Sequence, residues 1–151
     1  MYVPRFPTPE NQNVESWCEV LRNSSPKFGE NTVLIGHSCG AAYLLWVLNV
    51  LGGPVAKSIF VSPFVQALGN EHYDALNADF CEPARIFDWE KIRRNMGEAT
   101  LFHGDNDPYV PLGAAEYVSK KLGVPLTLIH DGGHLNTESG HTEFLKLLEV
   151  I

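Results

Sequence analysis

The chain has 151 residues, 44% hydrophobic and 19% charged, which suits one compact domain spanning residues 1–151 with its own core and excludes a disordered or coiled-coil protein. Its net charge of −7 repels phosphate backbones, so no nucleic-acid partner is expected. Three cysteines (Cys18, Cys39, Cys81) without CxxC spacing argue against a disulfide framework or structural zinc.

The opening "MYVPRFPTPENQ" holds three prolines in its first nine residues and reads as an extended segment and a loop. No charged stretch there leads into an apolar one, so no signal peptide is expected. "NVESWCEVLRNS" places Val14, Trp17, Cys18 and Leu21 at helical spacing. "TVLIG" (Thr32–Gly36) has the apolar, β-branched character of a buried parallel strand. Cys39 to Val50 is apolar on nearly every side, as in a helix buried against a sheet, and Gly52-Gly53-Pro54 ends it. The longest apolar run, Ala41 to Leu51, is broken by Asn49 and too short to span a bilayer. A cytoplasmic protein without membrane contact is therefore expected.

"KSIFVSPF" (Lys57–Phe64) contains a second strand. Residues 65–97 carry no long clean period, apart from a short helix in "DWEKIRRN" (Asp88–Asn95). "ATLFHGDNDPYVP" is a strand (Ala99–His103) entering a polar loop, and "PLGAAEYVSKKLG" a helix bounded by Pro111 and Gly123. "PLTLIHDGGH" is a strand (Leu126–His130) entering a Gly-rich loop. "HTEFLKLLEVI" reads as a closing amphipathic helix. The alternation predicts an α/β protein: a mostly parallel sheet of about five strands with helices on both faces. Functional groups in such sheets gather at the carboxyl ends of the strands.

Gly36-His37-Ser38-Cys39-Gly40 matches the G-x-S-x-G turn that presents a nucleophilic serine between a strand and a helix. Glycine at the flanks avoids clashes in so tight a turn, and the N-terminus of the following helix can stabilise an oxyanion. Chance places such a pattern in roughly one chain of this size in twenty, so a passive serine in a Gly-rich bend is the plain alternative. A nucleophilic serine needs a base, and the base an acceptor that fixes its tautomer. Asp105 and Asp107 follow one strand and His134 a later one, the acid-then-base order of α/β-hydrolases. His134 is preferred because it sits in a loop. His103 and His130 belong to strands, His72 to a polar stretch and His141 to the last helix, while His37 is expected to pack or bond locally. Asp107 precedes Pro108, which holds its backbone extended and favours it as the orienter, with Asp105 capping the loop. The rival reading is a divalent-metal site from His103, Asp105, Asp107 and His134.

These stretches resemble the family of small serine hydrolases typified by retinoblastoma-binding protein 9 and the YdeN-like proteins. The resemblance rests on "TVLIGHSCGAAYLL", "FDWEKIRRN", "FHGDNDPYVPLGAAEYVSKKLG" and "DGGHLNTESG", and "VPRFPTPENQNVESWCEVL" is similar to the family's second strand and following helix. It implies an α/β-hydrolase fold, Ser38 as nucleophile, Asp107 as acid, His134 as base and no cofactor or metal. Members of this kind carry a further strand and a Gly-rich loop before the "VPRFP" segment, and the loop gives the second oxyanion donor. Here the backbone N–H of Cys39 is the obvious donor. The gap implied beside the nucleophile strand is expected to be met by residues upstream, by Tyr2–Arg5, or by a homodimer through exposed strands.

The expected function is cleavage of a small-molecule ester, thioester or amide through an acyl-enzyme on Ser38, esterase-like in type. The alternative is a catalytically impaired hydrolase-fold protein acting as an interaction module. His37, Trp89 and Phe64 are candidate pocket residues, a core role for Trp89 weighing equally. Cys39 beside the serine suggests sensitivity to bulky thiol reagents, against the plain reading of a small packed residue.

Overall fold

The computed structural model describes residues 1–24, 26–82 and 84–151. The elements in chain order are α1 (Val14–Ser24), β1 (Val33–His37), α2 (Cys39–Val50), β2 (Lys57–Val61), α3 (Glu71–Asn77), α4 (Trp89–Asn95), β3 (Glu98–Gly104), α5 (Leu112–Leu122), β4 (Leu126–Ile129) and α6 (Leu145–Leu148). Among the described residues, four strands form a wholly parallel sheet in the order β1-β2-β3-β4, in line with the sheet of about five strands expected. The register aligns Ile35 with Ile59 and Thr100, and His37 with Val61 and Phe102.

The apolar all-round character of α2 has a direct structural cause. On one flank Leu44, Leu45 and Leu48 pack with Phe60 and Leu101 of the sheet, Ile92 of α4 and Val118 and Leu122 of α5. On the other, Ala42, Tyr43 and Val47 pack with Val14 and Trp17 of α1 and with Phe64, Phe80 and Val110. Burying each such large side chain is worth roughly 1.5–3 kcal/mol, so a helix enclosed on both flanks tethers α1, α4 and α5 to the sheet. The proline-rich opening is docked by the same cluster: Phe6 stacks on Trp17 at 4.4 Å, and Trp17 Nε1 donates to the Pro7 carbonyl at 2.9 Å. The opposite face of the sheet, with Ile59, Val61, Phe102 and Ile129, is covered by Phe144, Leu147 and Val150 of the C-terminal segment.

Three expectations are corrected. The closing helix is only Leu145–Leu148, because the partly buried residues recur every third position (His141, Phe144, Leu147, Val150), a period that a longer α-helix would turn away from the sheet. α3 has no counterpart in the sequence reading, since its one buried side chain is polar Asn77 and leaves no apolar stripe. Tyr2–Arg5 forms no strand. β1 is therefore a sheet edge, with Val33 38% and Ile35 49% exposed.

Candidate active site

The carboxyl ends of all four strands meet at one rim. Between β1 and α2, Ser38 has φ 55° and ψ −123°, a conformation that costs about 1–3 kcal/mol and persists only where neighbours enforce it. They do: Ser38 N–H donates to the Val61 carbonyl at 2.8 Å, extending the β-ladder, while its carbonyl accepts from Ala41 and Ala42 at 2.9 and 3.3 Å. The two glycines of the motif differ. A Cβ on Gly36 would meet the Gly40 carbonyl oxygen at 2.5 Å and Ala41 Cα at 2.8 Å, whereas one on Gly40 would meet nothing within 4 Å. Only the first is required by close approach. The Cys39 N–H lies in the first turn of α2, before the first intrahelical acceptor, where the helix dipole favours negative charge. Burial keeps the Cys39 thiol protonated, its pKa well above the ordinary range.

The loop after β3 separates the two aspartates. Asp107 Oδ1 accepts the N–H groups of Tyr109 and Val110 at 2.9 and 3.0 Å, and His134 Nδ1 donates to Oδ2 at 2.8 Å. Burial works to raise the Asp107 pKa, but the bonds from His134, Val110 and Tyr109 outweigh it, and the carboxylate is held below its ordinary value. Asp105 instead accepts from His130 Nδ1 and the Asp131 N–H, both at 2.9 Å, and caps the end of β4. Asn106, which the sequence reading passed over, accepts the Gly133 N–H at 2.7 Å. All three residues thus tie the β3 loop to the loop that carries His134. The loops approach so closely that a Cβ on Gly104 would lie 2.0 Å from the Gly133 carbonyl oxygen.

His134 is 7% exposed. Its carbonyl accepts from His37 Nε2 at 2.8 Å, and the Tyr109 ring lies 5.1 Å away. Ser38 and His134 line one cavity of about 270 Å3 together with Leu68, Tyr73, Asn77 and Tyr109. A hydroxyl, an imidazole and a buried carboxylate in that sequence are the groups needed to activate a serine.

The remaining candidates stand elsewhere. His37 braces the backbone of His134 from behind. Trp89 packs beside Phe87 under Lys121, and Phe64 is buried between α1 and α2; neither lines this cavity. The metal-binding set read from sequence is not assembled. His103 is fully buried in β3 with its Nδ1 3.9 Å from Asp107. Among the described residues, the groups close enough to share an ion are the exposed Asp105, His130 and Asp131. No helix among the described residues is long and apolar enough to cross a membrane.

A parallel sheet whose first strand turns through a positive-φ serine into a buried helix, with an acid and a histidine on later loops, is the α/β-hydrolase architecture. The chain belongs to the serine hydrolase family, whose model matches residues 6–151. It is 31% identical to serine hydrolase RBBP9 of Rattus norvegicus over 122 residues, which is 81% of this chain and 60% of that protein. It is 24% identical to YdeN of Bacillus subtilis over 148 residues, 97% of this chain and 75% of that one. The crystal structure of the ydeN gene product superposes with a TM-score of 0.85 over 97% of this chain and 77% of that one, at 24% identity. A YdeN-like hydrolase structure from Pectobacterium atrosepticum gives 0.65 at 20% identity, over 91% of this chain and 66% of that one. The chain therefore spans three-fifths of the length of the rat relative.

Proposed function

We propose that the protein cleaves a carboxylic ester, thioester or amide through an acyl-enzyme on Ser38. The observation that carries the reading is the His134–Asp107 hydrogen bond of 2.8 Å at the cavity that Ser38 lines. His134 removes the Ser38 proton as the oxygen attacks the acyl carbon, and Asp107 holds the imidazole in the required tautomer and stabilises its cation. The Cys39 N–H faces the oxyanion at the start of α2, where one such donor is worth about 10²–10³ in rate. His134 then protonates the leaving group. Water, deprotonated by the same imidazole, releases the acid and restores Ser38.

A fluorophosphonate probe tests this. Labelling of the intact protein that is lost in Ser38→Ala and His134→Ala is the expected result; equal labelling of Ser38→Ala, or none of the wild type, sinks the reading. The second reading is an impaired hydrolase that works as an interaction module, and the open edge of β1 beside the elbow favours it. Its unpaired backbone and the exposed Val33 and Ile35 suit antiparallel pairing with β1 of a second copy. In that case the chain runs as a dimer in size-exclusion chromatography, Ile35→Lys makes it a monomer, and no ester is cleaved.

A further inference from the structure

A second cavity of about 360 Å3 adjoins the one at Ser38, and Leu68 and Asn77 line both. It is also lined by Gln66, Ala67, Ala78, Cys81 and Ala84, and its surface is mostly apolar. Two carboxylates also border it, yet both are engaged with the protein's own donors. Asp74 accepts the Leu68 N–H at 2.5 Å, and Glu82 accepts the Tyr117 hydroxyl at 3.0 Å. Burial pushes the Cys81 thiol up to about 12, so it stays neutral. The space is thus an apolar slot with negative charge at its border.

The shared lining is tied to the elbow. Asn77 Nδ2 donates to the Tyr73 carbonyl at 2.8 Å, and its Oδ1 accepts from Gln12 Nε2 at 3.0 Å. The same Gln12 nitrogen reaches the Leu76 carbonyl at 3.4 Å and Cys39 Sγ at 3.7 Å. One carboxamide therefore locks α3 to the residue that follows the serine, and the position of the slot relative to Ser38 is fixed.

We propose that this slot receives the acyl chain of the substrate, so that the enzyme prefers uncharged acyl groups of medium length to acetyl and to anionic acyl groups. The proposal rests on the hydrolase reading and adds to it the class of acyl group. The volume lies at the small end of ligand pockets (roughly 300–1,000 Å3), which suits an octanoyl rather than a long fatty acyl chain. Each methylene that enters is worth about fourfold in transition-state affinity. A carboxylate at the end of the chain would meet Asp74 and Glu82 and be repelled.

The test uses p-nitrophenyl esters from acetate to octanoate, with Ala67→Phe and Ala78→Phe as variants. Both alanines are exposed on the cavity wall, so the added ring fills the slot rather than the core. The expected result is a kcat/KM that climbs with chain length in the wild type, and an octanoate-to-acetate ratio at least about tenfold lower in each variant. A second arm needs no chemistry: octanamide binding to the Ser38→Ala protein by titration calorimetry, expected to be lost when Ala78→Phe is added. A flat chain-length profile, or octanamide binding that Ala78→Phe leaves untouched, overturns the proposal. Bound octanamide, displaced by Ala78→Phe, in a protein that neither labels with fluorophosphonate nor cleaves any ester would overturn the hydrolase reading and leave the slot standing.

Discussion

His134 Nδ1 lies 2.8 Å from Asp107 Oδ2, and the other oxygen of that carboxylate is taken by the backbone N–H groups of Tyr109 and Val110. The two oxygens therefore have separate tasks, one holding the loop and one holding the imidazole. In Asp107→Asn the backbone donors will claim the amide oxygen, which turns the NH2 toward His134. The imidazole must then carry its proton on Nε2, where it cannot accept one from Ser38. Expected is a fall in kcat on a short ester of roughly 10³–10⁴ with a folded protein by circular dichroism. A variant within tenfold of wild type would remove Asp107 from the mechanism.

The parts of this arrangement legible in the sequence are those written locally. Ser38 shows through the glycines and the strand and helix on either side, Asp107 through the following proline, and His134 through its Gly-rich loop. What was illegible is carried by polar contacts between distant segments. Gln12 meets Asn77 across 65 positions and Asn106 meets Gly133 across 27, and neither pair leaves a periodic trace. The same holds for α3, whose buried residue is an asparagine. Trp89 and Phe64 could not be placed because an aromatic in an apolar stretch reads alike whether it lines a cavity or fills a core.

His103 gives the fold a pH dependence. It is fully buried, no well-formed hydrogen bond to either ring nitrogen is found among the described residues, and Asp107 stands 3.9 Å from Nδ1. Burial lowers its pKa below the ordinary 6.5, and the Asp107 charge and the neighbouring Val110 backbone oppose this without cancelling it. As pH falls through about 6.5 the unfolded chain takes up a proton that the folded one refuses, so stability is full above that value and is lost below it. His37 is shifted the same way by partial burial, but it is exposed at the sheet edge and the effect is screened. Asp107, held low, loses its contribution only below the ordinary carboxylate range. His130 is raised by Asp105, so its small exposed contribution is present at low pH and fades as pH rises. Replacing the buried ring with an apolar one of similar size is neutral or stabilising. The urea midpoint should therefore fall from pH 7 to pH 5.5 more steeply in wild type than in His103→Phe; parallel curves would show that His103 takes up its proton as readily in the folded chain as in the unfolded one.

The thiol beside the serine is expected to be inert. Burial drives the Cys39 and Cys81 pKa values up, and the nucleophile toward alkylating reagents is the thiolate. Treatment with a bulky maleimide at pH 8 should modify Cys18 on α1 first and leave fluorophosphonate labelling of Ser38 intact. Loss of labelling that Cys39→Ala prevents would show instead that the elbow opens to reagent.

The two elbow glycines should respond oppositely to alanine. At Gly36 the new methyl would face the Gly40 carbonyl carbon and oxygen and Ala41 Cα at 2.5–2.8 Å. All three are backbone atoms, so no side chain can rotate away, and β1 and α2 must part at the point where they are packed closest. A cost of about 2–4 kcal/mol is expected, together with loss of Ser38 labelling as the turn shifts. At Gly40 the methyl meets open space within the first turn of α2, where alanine is about 0.5–1 kcal/mol better than glycine. Gly40→Ala should therefore raise the urea midpoint. Any fall in ester cleavage in that variant would come from the open side, where the methyl crowds an incoming substrate. Equal destabilisation by both substitutions would mean that the space beside Gly40 is filled, against the open side found there.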